Sequence, residues 1–189
     1  MKKGIVCLIA LILLFCLFCV PANTAATFGA ISFPIVLQEK TNWCWAACSV
    51  GILQYYSISA TQSALSRLVH GQVVNQGATL AQISSCLSQK GLSNTPVEST
   101  LSFSNIRSEI GARQRPVFAV RKPRAVVGGY HGVVITGYDQ SLGTAQASIE
   151  YMDPLCDDFQ YCLYTEFVSA PFTDTNPCEW IQSIYQISR

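Results

Sequence analysis

Four side chains of this 189-residue sequence have the types and spacing for nucleophilic chemistry: Gln38, Cys44, His131 and Asp153. A cysteine attacks as its thiolate, so a reactive one needs surroundings that favour the anion and a base to take the proton. Cys44 stands at the start of a long apolar run, with Thr41 and Asn42 just ahead of it as candidate N-caps. A helix start presents unpaired backbone N–H groups and the positive end of the macrodipole, and both lower a thiol pKa. The base must be His70 or His131. His131 follows Gly128-Gly129-Tyr130 and heads an apolar strand, a rim position from which one ring nitrogen can face a cleft. Asp153 ends the next strand and precedes Pro154, which holds it extended. Neighbouring strand ends can bring the carboxylate to the imidazole, orienting the ring and stabilising its cation. Gln38, six residues before Cys44, can offer a side-chain N–H to an oxyanion together with the Cys44 amide.

The elements that must position these groups follow from periodicity. Residues 43–56 form one helix, apolar nearly all round and therefore expected to run buried through the domain. Shorter amphipathic helices are expected at 61–69, 79–89 and 104–112, the third of these four ending at Lys90-Gly91. From Pro116 the period shortens, with strands expected at 117–120, 131–138 and 148–152, then 163–168 and 179–187. Helices followed by strands imply an α+β domain, the helical part packed on a small antiparallel sheet.

The chain opens with Lys2-Lys3, an apolar run from Gly4 to Val20, and small residues around Pro21 to Ala26. That order is expected of a secretory signal peptide covering 1–26, cut near Ala22 or Ala26, followed by a single domain over 27–189. A membrane association is expected only if the N-terminal segment is retained. The protein is thus expected to be exported, to an extracellular or periplasmic compartment. Removing 1–26 takes the net charge from +1 to −1 and leaves six cysteines, Cys44, Cys48, Cys86, Cys156, Cys162 and Cys178. With 12% charged and 50% hydrophobic residues, the composition excludes a disordered chain and argues against nucleic-acid binding.

The segment Gln38-Glu39-Lys40-Thr41-Asn42-Trp43-Cys44-Trp45-Ala46-Ala47 resembles the active-site segment of papain-like cysteine peptidases. Its Asn-Trp-Cys-Trp-Ala-Ala form is similar to the compact bacterial branch, which includes bacteriocin leader peptidases and secreted effector proteases. His131-Gly132-Val133-Val134-Ile135-Thr136-Gly137-Tyr138-Asp139 and Tyr151-Met152-Asp153-Pro154 match that branch in order and spacing. The resemblance implies the papain-like fold, with a long central helix carrying the cysteine against a C-terminal sheet. It implies Cys44 as nucleophile, His131 as general base and acid, Asp153 as the orienting carboxylate and Gln38 as oxyanion donor. Plant and lysosomal members usually carry Asn where this chain has Asp153, whereas the compact bacterial branch commonly has Asp. The glycine and cysteine that usually precede the nucleophile are replaced by Asn42 and Trp43, so no papain-style disulfide starts there.

The remaining candidates have plainer readings. His70 is expected to sit at a helix end, Asp139 to be a turn residue, and Trp43 and Trp45 to be core aromatics beside the nucleophile. Cys48, one turn after Cys44, is expected to be structural and bridged to Cys86; Cys156 and Cys162 are expected to bridge locally, leaving Cys178 unpaired. A zinc site from Cys44, Cys48, Cys86 and His70 lacks paired Cys-x-x-Cys spacing, so no metal and no cofactor is expected. Arg113, Arg115, Arg121, Lys122 and Arg124 read as a solvated basic face. The expected activity is a monomeric, exported thiol endopeptidase acting on a peptide or protein substrate. Two alternatives share the residues: an acyl-transfer enzyme (transpeptidase, transglutaminase-like or deamidase) on the same triad, and an inactive, disulfide-stabilised binding module.

Overall fold

A computed structural model describes residues 26–123, 129–169 and 178–189; the expected signal peptide lies outside them, apart from Ala26. Strand β1 (Phe28–Ala30) is followed by helices α1 (Cys44–Tyr55), α2 (Gln62–His70) and α3 (Leu80–Gln89), then β2 (Ser93–Val97). Helix α4 (Phe103–Arg107) runs into a π-turn (Ser108–Ala112), and β3 (Val117–Pro123), β4 (His131–Asp139) and β5 (Ser148–Met152) follow. β6 (Gln160–Leu163), α5 (Tyr164–Val168) and β7 (Cys178–Ser188) complete the order. The strands form one antiparallel sheet ordered β2-β7-β3-β4-β5-β6, with β1 added beside the far end of β4. The α+β architecture expected from the sequence is thus present, helical layer against sheet.

Helix α1 is the axis of the core. Every residue from Trp45 to Leu53 is buried, so the helix is enclosed on all sides as its even apolar distribution requires. Its small residues Ala46, Ala47, Ser49 and Gly51 let neighbouring chain approach closely. The flanking helices are set by local chemistry: Thr61 caps α2 through Ala64 N, and Gly71 ends it in the left-handed conformation at φ 76°. Thr79 and Gln82 form a reciprocal capping box at the start of α3.

Trp43, rather than Thr41 or Asn42, occupies the N-cap position of α1, and no side chain caps it. Both polar residues are drawn off by a neighbouring loop. Asn42 donates from its backbone N–H to Asn75 Oδ1 and from its Nδ2 to Asn75 O, both at 3.0 Å, and Asn75 Nδ2 donates to Thr41 Oγ1 at 2.8 Å. A second correction concerns 163–168: Leu163 ends β6, and Tyr164–Val168 is helix α5 and not a strand. Glu166 accepts the Leu163 N–H at 3.3 Å and starts the turn, and Phe167 is its one buried residue. β1 and β2 were not expected. β1 has three residues, and β2 carries Asn94 and Pro96, which an edge strand tolerates but an alternation pattern does not reveal.

The expected bridges Cys48–Cys86 and Cys156–Cys162 are absent: all six described cysteines are free thiols. The Cys48 Sγ instead donates to Gly132 O at 3.2 Å, tying α1 to β4. The basic stretch also divides. Arg113 pairs with Glu109 at 3.3 Å, whereas the Arg121 guanidinium lies 4.8 Å from the Phe167 ring centroid and is not simply solvated. Arg124 lies outside the described residues.

Gly132, beside the site, is held to glycine by packing. A Cβ there would come within 2.9 Å of Phe118 Cζ, and Phe118 is fully buried. Gly132→Ala is expected to lower unfolding free energy by about 1–3 kcal/mol, read as a shift of the urea midpoint at constant slope.

Candidate active site

The sulfur of Cys44 is delivered by the first residue of α1, and the imidazole of His131 by the first residue of β4. Antiparallel pairing of β4 with β5 sets Val134 opposite Met152, so the chain leaving β5 brings Asp153 back beside His131. His131 Nε2 and Asp153 Oδ1 are 2.8 Å apart. The other ring nitrogen is left for the Cys44 thiol, and each of the two groups shifts the ionisation of the other. The Leu155 N–H donates to the same Asp153 oxygen at 2.9 Å and fixes the carboxylate from behind. Cys44 Sγ lies 3.9 Å from Tyr130 O. The fold places these three side chains near one another across 109 residues of chain.

Electrostatics within the group are reciprocal. Burial opposes ionisation of the Cys44 thiol, but the hydrogen bond and charge of His131, with backbone bonds at Gly132 and Trp45, more than offset it and bring its pKa below the ordinary thiol value. Burial likewise disfavours a charged His131; its bonds to Asp153 and Cys44 outweigh that, raising its pKa to about 9. Asp153 is held below the usual carboxylate range despite burial, chiefly by His131, then by the Leu155 N–H and the nearby Arg121. The arrangement favours a thiolate–imidazolium pair backed by a carboxylate. Arg121 and Leu155 are contributors that no motif signalled, since each acts through its place in the fold. Cys48 sits one turn deeper, and burial followed by the neighbouring Cys44 charge pushes its thiol well above the ordinary value. It is chemically quiet.

Gln38 lines the same cleft as Cys44 and His131. Its backbone N–H donates to Pro154 O at 3.0 Å, which joins the segment before α1 to the Asp153 loop. Its side-chain Nε2 donates to Lys40 O and Thr41 O, both at 3.0 Å, while Oε1 is buried with no partner. Both amide hydrogens therefore brace the turn into α1, and donation to an oxyanion takes the exchange of one of these bonds. Trp43 and Trp45 are core residues as expected, and their indole N–H groups donate to Val74 O at 2.7 Å and Gln76 O at 3.0 Å. They thereby anchor the loop whose next residues, Gly77 and Ala78, wall the cleft.

His70 ends α2 and packs edge-on against Trp45 with ring centroids 5.9 Å apart. Asp139, expected to be a turn residue, ends β4 and accepts the Ser141 N–H at 2.7 Å, leading into the turn that follows. Among the described residues no group of three or more His, Cys, Asp or Glu side chains could hold a metal ion, and no helix is long and apolar enough to cross a membrane. The cleft itself has a volume of about 630 Å³ and opens beside Cys44.

A profile of the family described as papain-like cysteine protease AvrRpt2 matches residues 27–168. No protein of curated function matches the sequence. Among solved structures the fold is similar to a double glycine motif protease from an AMS/PCAT transporter, in complex with the leader peptide. That pair shares 16% identity over 83% of this chain and 92% of the other, with a TM-score of 0.54. The peptidase domain of Streptococcus ComA, a bifunctional ABC transporter of a quorum-sensing pathway, gives 16% identity, 82% and 96% coverage and a TM-score of 0.53. A C39-like peptidase from Bacillus anthracis gives 13%, 85% and 98% coverage, and 0.59. At these identities the structural likeness speaks for the fold.

Proposed function

The chain belongs to the papain-like cysteine protease family AvrRpt2 and is a cysteine-type peptidase, and on that premise we propose that it hydrolyses peptide bonds through a Cys44–His131–Asp153 triad. The observation that carries the reading is the meeting of the Cys44 sulfur and the His131 imidazole at one wall of an open cleft, with the imidazole hydrogen-bonded to the Asp153 carboxylate. Cys44, as thiolate, attacks the substrate carbonyl carbon. The developing oxyanion is met by the Cys44 backbone N–H, unpaired at the helix start, and by the Gln38 amide once it exchanges a loop bond. The imidazolium of His131 gives its proton to the departing amine, and Asp153 keeps the ring turned toward the sulfur. Neutral His131 then takes a proton from water, whose oxygen attacks the thioester and releases the acid with the thiol restored.

The substrate in this reading is a peptide or protein, cut internally, in keeping with a similar fold having been solved with a leader peptide bound. The reading includes export of the domain after removal of residues 1–26, with Lys2-Lys3, the apolar run and the small residues as its support.

Titration separates the two halves of the mechanism. Alkylation of Cys44 by iodoacetamide needs only the thiolate, so its rate is expected to rise at a pH below that of an ordinary thiol and then stay level. Peptide hydrolysis needs the imidazolium as well, so it should follow the same rise and then fall through about pH 9, where His131 loses its proton. Product masses in the presence of added amine distinguish water from an amine as acceptor. An alkylation rate no higher than that of a model thiol at pH 7, or cleavage that survives alkylation, overturns the reading.

A further inference from the structure

The cleft extends past the triad, and its far end is charged. Its floor is laid by register partners on three adjacent strands, Gly132 on β4 opposite Val120 on β3, and Val120 opposite Gln182 on β7. Register partners share a face of a sheet, so this row leads away from His131 over two strand spacings, about 10 Å. Phe118, two residues from Val120, lies along the same floor, and Leu80 and Ile83 of α3 wall the cleft. At the end of the row stands Glu98, whose carboxylate accepts a hydrogen bond from the Gln182 side-chain amide. Its place is fixed by β2: Val97 pairs with Ser183, and Ser183 Oγ donates to Ser99 O at 2.7 Å.

Glu98 is the one acidic side chain among the described residues lining the cleft, and neither lysine nor arginine lines it. The ion pairs among the described residues are Arg113–Glu109 and His131–Asp153, so Glu98 has no cationic partner among them. An apolar trough that ends in a carboxylate with no cationic partner among the described residues has the shape of a lysine or arginine side chain. Such residues lay their methylenes along apolar surface and carry the charge to the end. An aliphatic substrate side chain would leave the carboxylate unmatched, and an acidic one would be repelled.

The direction follows from the chemistry. The leaving amine must collect its proton from His131, so the leaving segment passes over the imidazole, on the side of the exposed Tyr130 and Leu155. The acyl segment stays bonded to the Cys44 sulfur and runs the other way, over Val120 toward Gln182. We propose that Glu98 is a specificity-determining residue, selecting substrates with a lysine or arginine on the acyl side of the scissile bond. The proposal rests on the peptidase reading above and adds its substrate class.

The test is a peptide library randomised on both sides of the cut, digested by the purified chain and read by mass spectrometry. Lysine or arginine at one acyl-side position is expected to be favoured over norleucine by about ten-fold. In Glu98→Gln that ratio should fall to near one, and in Glu98→Lys the preference should pass to glutamate. The same peptides are titrated calorimetrically against Cys44→Ala, which reads selectivity without turnover. Lysine and norleucine peptides cut and bound alike, or a lysine preference that survives Glu98→Lys, overturns the proposal. Cationic peptides bound preferentially by Cys44→Ala but cut by no form would sustain the selectivity and remove the peptidase reading. Peptides cut with no cationic preference would do the reverse.

Discussion

Cys44→Ala is expected to abolish peptide cleavage, with turnover falling by about 10⁴-fold or more while the fold is kept. The loss is large because sulfur supplies the bond-forming electron pair, and no other described group at the cleft can take its place. Cys48 is the nearest other thiol, but it is fully buried, donates to Gly132 O and is pushed well above the ordinary thiol pKa. The fast phase of iodoacetamide labelling should therefore vanish with Cys44, and only slow reaction at the other thiols should remain. Alanine is a good helix former, and Cys44 is the first residue of α1, so circular dichroism and the unfolding midpoint should stay close to the parent's. Cys48→Ala should behave in the opposite way. It removes a buried sulfur and its bond to β4, so it is expected to cost about 1–2 kcal/mol of stability while leaving the fast labelling phase in place. If the fast phase persisted in Cys44→Ala, or hydrolysis survived it, the nucleophile would be elsewhere.

The contrast between those two cysteines shows what a sequence of this kind discloses. Cys44 was legible because the chemistry it needs is partly local: a helix start, a tryptophan-alanine sequel and a glutamine six residues earlier. His131 and Asp153 were legible because strand ends are readable from periodicity, and β4 and β5 pair as neighbours in the chain. The family match over residues 27–168 and the similar solved folds agree with that reading of architecture. Cys48 was misjudged because an even cysteine count suggests bridges, whereas its actual partner is a backbone carbonyl 84 residues away. The caps of α1 were misjudged for a related reason. Thr41 and Asn42 have cap chemistry, but Asn75, brought near by the loop that Trp43 and Trp45 anchor, competes for them. The segment 163–168 has an apolar content that suits either element, and one carboxylate, Glu166, decides for a helix. Glu98 was invisible because nothing near it in sequence is chemical. It gains meaning from the β2–β7–β3–β4 order that sets it at the end of the cleft floor. Local signals are legible; partners supplied by sheet order and loop docking are not.

Asp153 offers the second large effect, and it separates charge from geometry. Asp153→Ala removes both the acceptor of the His131 Nε2–H bond and the anion that stabilises the imidazolium. Hydrolysis is expected to fall by about 10²- to 10⁴-fold, because the ring is then free to turn away from the sulfur and loses its proton more readily. Asp153→Asn keeps an oxygen that can accept from His131 and from the Leu155 N–H, bonds of 2.8 and 2.9 Å in the parent. It deletes only the charge. Since the bonds that orient the ring are kept, the Asn variant should retain far more activity than the Ala variant. Its signature lies in the pH profile. With the carboxylate gone, His131 loses the main influence that raises its pKa to about 9, so the alkaline fall in hydrolysis should move toward neutrality. The same loss weakens the support that His131 gives the Cys44 anion, so the acidic limb of alkylation should move up in pH. The active window then narrows from both sides. A carboxylate with a merely structural role would lower the amount of folded protein without moving either limb, and an unchanged profile in Asp153→Asn would exclude the electrostatic part of this mechanism.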